Sequence, residues 1–159
     1  MTADDLIKKL NLLPHPEGGY YRETYRSEQS VSFNGKVRNA GTAIYFLIRD
    51  REISHFHKVA SDELWLFHQG QSIELYVLTK TGELEIHNLG NDLENDELPQ
   101  IVVKAGNWFA AKLKNEEGYS LVSCIVTPGF EFSDFELAKK DDLLSQFPEY
   151  DKVINKLSL

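Results

Sequence analysis

The sequence predicts an all-β domain, an antiparallel sandwich or small barrel with short helices only at its two ends. Three observations carry this. About nine short segments rich in Val, Ile, Tyr, Phe and Thr follow one another at close spacing, separated by Gly, Pro, Asn and Asp turns. The strand–helix–strand alternation that builds a parallel sheet is absent. Helical periodicity is confined to the first and last stretches. The chain of 159 residues fits a single domain (residues 1–159). It divides into an N-terminal helix (1–13), a β-sandwich (19–127) and C-terminal helices (134–159).

In chain order, residues 4–12 read as a short amphipathic helix with Leu6, Ile7 and Leu10 on one face and Thr2 or Asp4 as its cap. Pro14 ends it, and His15-Pro16-Glu17-Gly18-Gly19 is a loop whose glycines free the backbone. Residues 20–26 form a tyrosine-rich strand, with Tyr20, Arg22, Thr24 and Arg26 on one face and Tyr21, Glu23 and Tyr25 on the other. Asn34-Gly35 joins segments 30–33 and 36–38 as a hairpin. The apolar run 42–49 is a buried strand. Segments 73–78 and 83–89 flank a Thr79-Lys80-Thr81-Gly82 turn, with His87 on the solvated face. Residues 90–99 are an acidic loop. Strands follow at 101–103, 108–113 and 121–126, and Thr127-Pro128-Gly129-Phe130 ends the last one. Phe130, Phe132 and Phe135 alternate with polar residues and are expected to lay an apolar flap on the barrel. Residues 135–147 read as helix, Pro148 as a helix start, and Tyr150, Val153, Ile154 and Leu157 as a core-facing stripe.

Composition narrows the function. Apolar residues make up 42% and charged residues 26%, ordinary values for a globular protein. A net charge of −8 argues against nucleic acid and anionic membrane surfaces as partners. Cys124 is the single cysteine, in the apolar run LVSCIV, and reads as a buried small hydrophobe in a reducing compartment. The N-terminus lacks a basic start followed by an apolar block, and no apolar run approaches a membrane span. The expectation is a cytoplasmic protein with a small-molecule partner.

The stretch SHFHKVASDELWLFHQG (54–70) concentrates the chemistry. His55 and His57 are two apart, so a regular strand points both to one face. Glu63 follows after a short loop, and Gly70 closes the next strand. Two imidazoles and a carboxylate converging inside a barrel can hold a metal or move protons.

The chain resembles the cupins, whose first motif carries two histidines, a glutamate and a glycine, matched here by His55, His57, Glu63 and Gly70. The second motif falls at Lys104-Ala105-Gly106-Asn107-Trp108-Phe109 and keeps Gly106, with Phe109 in place of the usual histidine. More specifically, HPEGGYYRETYRS (15–27), TAIYFLI (42–48), DELWLFHQG (62–70), AGNWFAA (105–111) and TPGFEFSDFEL (127–137) resemble cupin family 5, a group of unknown function. The resemblance implies a jelly-roll sandwich, commonly dimeric, similar in fold to the sugar-nucleotide 3,5-epimerases (RmlC-like), and it matches His57 to the family's histidine.

Three readings of function stay open. In the first, His57 is a general base held and tuned by Glu63, acting on a sugar or sugar-nucleotide as in an isomerase or epimerase, with Tyr20, Tyr21 or Tyr45 returning the proton. Burial alone would lower the His57 pKa, but contact with ionised Glu63 is expected to win and raise it. In the second, His55, His57 and Glu63 form a 2-His-1-carboxylate face for a divalent metal. In the third, the chain binds a carbohydrate-like ligand without chemistry, stacked on Trp65, Trp108 or Phe109. The first and third need no cofactor. Candidate ligand-binding residues are Tyr20, Arg22, Glu23, Ser54, Lys58, Trp65, Trp108 and Phe109. The tyrosines and apolar residues of 20–38 exceed what a solvated edge needs, so a homodimer is expected.

Overall fold

The computed structural model describes residues 1–159. Two antiparallel sheets face each other. One has the strand order β1 (Leu13–Pro14), β2 (Tyr20–Arg26), β5 (Thr42–Arg49), β12 (Tyr119–Thr127), β7 (Asp62–Gly70), β10 (Gln100–Val103). The other runs β13 (Phe135–Leu137), β6 (Ile53–Val59), β11 (Trp108–Leu113), β8 (Ile73–Leu78), β9 (Leu84–Leu89). The hairpin β3 (Ser30–Phe33) and β4 (Lys36–Asn39) stands apart as its own two-stranded sheet, turning at Asn34-Gly35. The all-β sandwich expected from the turn spacing is the fold observed.

The inner faces of the sheets meet in a core of 15 buried residues, among them Phe46, Ile48, Trp65, Leu75, Phe109, Val122 and Cys124. Both sheets also carry apolar residues on their outer faces. Leu47 and Leu121 pack under α1 (Ala3–Lys9) with Leu6 and Leu12. Phe56, Leu78, Trp108 and Ala110 pack under α2 (Lys140–Gln146) and α3 (Asp151–Leu157) with Leu143, Ile154 and Leu157. Strands covered on both faces read as continuous apolar runs, which is why segment 42–49 shows no alternation. Thr2 caps α1 through a reciprocal pair with Asp5, and the helix stops at Lys9, sooner than the apolar spacing suggests.

One element differs in kind. Residues 135–137, expected as helix, form β13, which pairs with β6 at Val59, Lys58 and His57. Without it the edge of β6 would leave its backbone groups unpaired, and that tertiary need overrides the helical period. Residues 148–150 then form a 3₁₀ turn into α3.

Three bulges break strand parity and decide what faces the interior. Against β11, the pairs His57–Phe109 and Ser54–Ala111 place three steps of β6 opposite two, so the stretch His55-Phe56 carries one surplus residue. Against β5, the pairs Glu23–Ile44 and Tyr25–Ala43 make Thr24 surplus in β2. Against β12, the pairs Phe67–Val122 and Gln69–Leu121 do the same to His68. Gly70 follows at φ +100°, where an added Cβ would lie 2.1 Å from the Tyr119 carbonyl oxygen, so this close crossing of chains requires glycine.

Candidate functional site

A cavity of about 280 Å³ opens between the sheets. Its inner walls come from β2, β5, β6, β7 and β12, and residues 130–135 cross its mouth. The loop between β1 and β2 dips into it and delivers Glu17. Gly18 makes this possible. It sits at φ +112°, and a Cβ there would lie 1.9 Å from the Ile53 carbonyl oxygen. The loop therefore lies flat on β6, and Glu17 points inward with 6% exposure.

Glu17 is held from every side. Its carbonyl accepts from the His55 backbone N–H at 2.7 Å and from His55 Nδ1 at 2.8 Å. Ser54 Oγ donates to Oε1 at 2.9 Å, and Oε2 lies 3.0 Å from His57 Nε2. The bulge at His55-Phe56 lets Ser54 and His57, three apart, face the same carboxyl.

Proton positions follow from the partners. His57 Nδ1 lies 2.7 Å from the His55 carbonyl oxygen, which can only accept, so Nδ1 carries a hydrogen. Nε2 and Oε2 then share one proton between them. Their separation suits an ion pair, but burial disfavours both charges. Burial, then the nearby Glu63 carboxyl, push the Glu17 pKa well above the usual range, and burial pushes His57 down to about 3. The proton therefore rests on Glu17 and the pair is neutral. Beside it, the Glu17 backbone N–H donates to His15 Nδ1 at 3.2 Å, and burial lowers His15 to about 4. His15 is a neutral imidazole set edge-on against Tyr21, 4.6 Å between ring centres.

Glu63 is the second buried carboxyl, 7% exposed on the cavity wall. Burial raises its pKa to about 7, with the Cys124 thiol beside it stabilising the charged form. No N–H or alcohol donates to it, in contrast to Glu17. The Cys124 thiol is itself raised, first by burial and then by Glu63, and stays protonated. At the mouth, Arg26 ties β2 to the crossing segment through Glu23, Asn39, Glu131 and the Phe130 carbonyl. Phe130, Phe132 and Phe135 line the same opening, as the alternation in 130–135 predicts.

The structure places His57, Glu63 and Glu23 at this cavity. Five expectations are corrected. The carboxyl against His57 is Glu17, not Glu63, and the His57 pKa is lowered, not raised. His55 and His57 do not share the inward face, because the bulge turns His55 aside onto the Glu17 carbonyl. The three-ligand metal set His55, His57 and Glu63 is therefore not assembled, and no group of three His, Cys, Asp or Glu side chains is arranged to hold a metal. Tyr45, Tyr20 and Arg22 lie on the outer face of their sheet: Tyr20 bonds Arg49, and Arg22 covers the Tyr45 ring at 5.8 Å.

Ser54 and Phe109 act on the site at one remove. Ser54 holds Glu17, and the Phe109 ring backs His57 at 4.1 Å, with Trp65 behind it. Trp108 is in the outer cluster under the C-terminal helices, with Lys58 4.4 Å above its ring. Lys58 pairs with Glu136 away from the cavity. Of the tyrosines expected to return a proton, only Tyr21 lines the cavity; residues that strand reasoning missed are His15, Glu17, Arg26 and Glu131. The signal for the first two was the His-Pro-Glu-Gly-Gly loop, where paired glycines mark a close approach of backbones.

This geometry sits in a chain with clear relatives. The family described as Cupin superfamily (DUF985), cupin family 5, matches residues 4–138. Uncharacterized protein YML079W of Saccharomyces cerevisiae is 33% identical over 159 aligned positions, covering 90% of this chain and 78% of the yeast protein. The crystal structure of protein SO0799 from Shewanella oneidensis superimposes with a TM-score of 0.93 at 45% identity, covering 100% of this chain and 98% of that one. A hypothetical protein from Leishmania major superimposes with a TM-score of 0.94 at 37% identity, covering 99% of both chains. No helix is long and apolar enough to cross a membrane. With the sandwich, the buried His57 and the matched 4–138 segment together, the chain belongs to cupin family 5 of the cupin superfamily.

Proposed function

We propose that this protein is an acid–base enzyme of the isomerase or epimerase kind, acting inside the jelly roll on a small carbonyl compound such as a sugar. One observation carries the reading. Two buried acid groups face one cavity, and their surroundings push them to different tasks. Glu63, raised to about 7 and free of N–H and alcohol donors, is poised to take a proton from carbon near neutral pH. The Glu17–His57 pair, neutral and holding one proton, is poised to give it to the developing oxyanion. The steps balance: the C–H proton goes to Glu63, the pair's proton goes to the carbonyl oxygen, and the enediol that forms returns a proton from its other hydroxyl to the pair while Glu63 delivers its proton to the adjacent carbon. Ser54 and the His55 carbonyl hold the pair in place throughout.

The test is proton exchange. A panel of free aldoses and ketoses in D₂O, followed by proton NMR, should show enzyme-dependent loss of signal at the carbon next to the carbonyl. Glu63→Gln should abolish it. A second reading, a binding module without chemistry, is supported by the saturation of Glu17 and His57 by protein partners. Saturable binding without deuterium uptake across the panel would favour it over the enzyme.

A further inference from the structure

The charges lining the cavity are unequal. Four carboxyls face it, Glu17, Glu23, Glu63 and Glu131, against a single guanidinium, Arg26. Arg26 has five N–H donors, and all five are occupied. Nε bonds Glu23 at 3.2 Å. Nη1 bonds Asn39 at 2.8 Å and Glu131 at 3.1 Å, and Nη2 bonds Glu23 at 2.6 Å and the Phe130 carbonyl at 2.9 Å. No donor is left for a phosphate or carboxylate. The two histidines are neutral, and each has Nδ1 committed within the protein.

A charge count at the mouth gives one positive charge on Arg26 against two negative ones on Glu23 and Glu131, a surplus of one negative charge. Deeper in, Glu63 is more than nine-tenths buried, faces the cavity and has no cationic partner, so it adds to the same sign whenever it ionises. The rest of the wall mixes aliphatic side chains such as Ile44, Val59 and Val126 with aromatic ones, and Tyr21, Phe130 and Phe132 among the latter offer ring faces that attract cations.

We infer that the occupant of this cavity is a small amine carried as its ammonium ion, with no phosphate or carboxylate group. The inference rests on the reading of the cavity as the ligand site, and it narrows that reading. An amine-bearing sugar fits, and a sugar-nucleotide does not. The ammonium sits at the mouth against the Glu23–Arg26–Glu131 cluster, and the reacting end lies inward beside Glu63.

The experiment uses the intact protein at low salt and two series of probes of similar size and different charge: glucosamine, glucose and glucuronate, and the smaller butylamine, butanol and butyrate. Methyl signals of Ile44, Val59 and Val126, all on the cavity wall, report binding by NMR. The ammonium member of a series should bind at least about fivefold tighter than its neutral counterpart, the yield of one partly exposed charge contact. The anion should bind weakest. Glu131→Gln, which balances the mouth, should erase the preference. Neutral and cationic members binding alike, or the anion binding best, would overturn the charge assignment and leave the ligand site standing. Failure of all six probes to move these methyls would overturn the ligand site itself, and the inference with it.

Discussion

Glu63→Gln separates the cost of a buried carboxyl from its use. The Glu63 pKa is raised from 4.5 to about 7 in the folded chain, chiefly by burial. Between those two pH values the folded state keeps a proton that the unfolded state releases. Stability therefore falls as pH rises through this window and stays lower above it. A rise of about 2.5 pH units corresponds to about 3 kcal/mol. Glutamine mimics the protonated acid and cannot ionise, so the variant escapes the loss. His15 titrates in an overlapping range with the opposite sign, since its pKa is lowered to about 4 and its neutral form gains stability as pH rises. The wild-type profile alone is therefore a mixture, but His15 cancels in the difference between the two proteins. Urea denaturation at pH 4 and pH 8 measures that difference. The variant should gain about 3 kcal/mol over wild type between the two pH values. A difference that stays constant with pH would refute the assignment of a raised, unpartnered carboxyl.

Three further outcomes are expected. His57→Ala removes the ring that shares the Glu17 proton and packs on Phe109, and the lost packing together with the stranded neutral acid should cost about 3–5 kcal/mol in denaturation. Gly18→Ala puts a Cβ against the Ile53 carbonyl at a positive φ, so the variant should lose more than ~1 kcal/mol and release Glu17 from the cavity, visible as loss of its effect on the His57 signals. We propose that the chain dimerises through the 20–38 region, where Tyr25 and Val37 are 59% and 71% exposed; light scattering at micromolar concentration should give twice 18.2 kDa, and a monomer would contradict it.

The sheet framework was legible because turns and β-rich runs alternate along the chain and helical periodicity stops at the ends. The exception, β13, was hidden because it is only three residues long and leads almost directly into α2, and only the open edge of β6 decides between strand and helix there. The site was legible in part. His57 and Glu63 stand out as ionisable residues in apolar strands, and both line the cavity. Their relation was misread because parity assumes regular strands. The extra residues at Thr24 and in the stretch His55-Phe56 exchange which side chains face inward, moving Arg26 in and His55 aside. A bulge depends on the partner strand's register, which no single strand's sequence records. Glu17 was missed for a related reason. It comes from a loop, and only the contact of Gly18 with Ile53 brings it against His57.

The central claim is that Glu17 and His57 hold one proton between them, with His57 neutral and protonated at Nδ1. Nitrogen-15 NMR of histidine-labelled protein tests it most directly. The account predicts that His57 shows a protonated Nδ1 and an acceptor Nε2, does not titrate between pH 5 and pH 8, and shifts in Glu17→Gln. A His57 that titrates near 6.5, or that carries its proton on Nε2 with Glu17→Gln leaving it unmoved, would contradict the account.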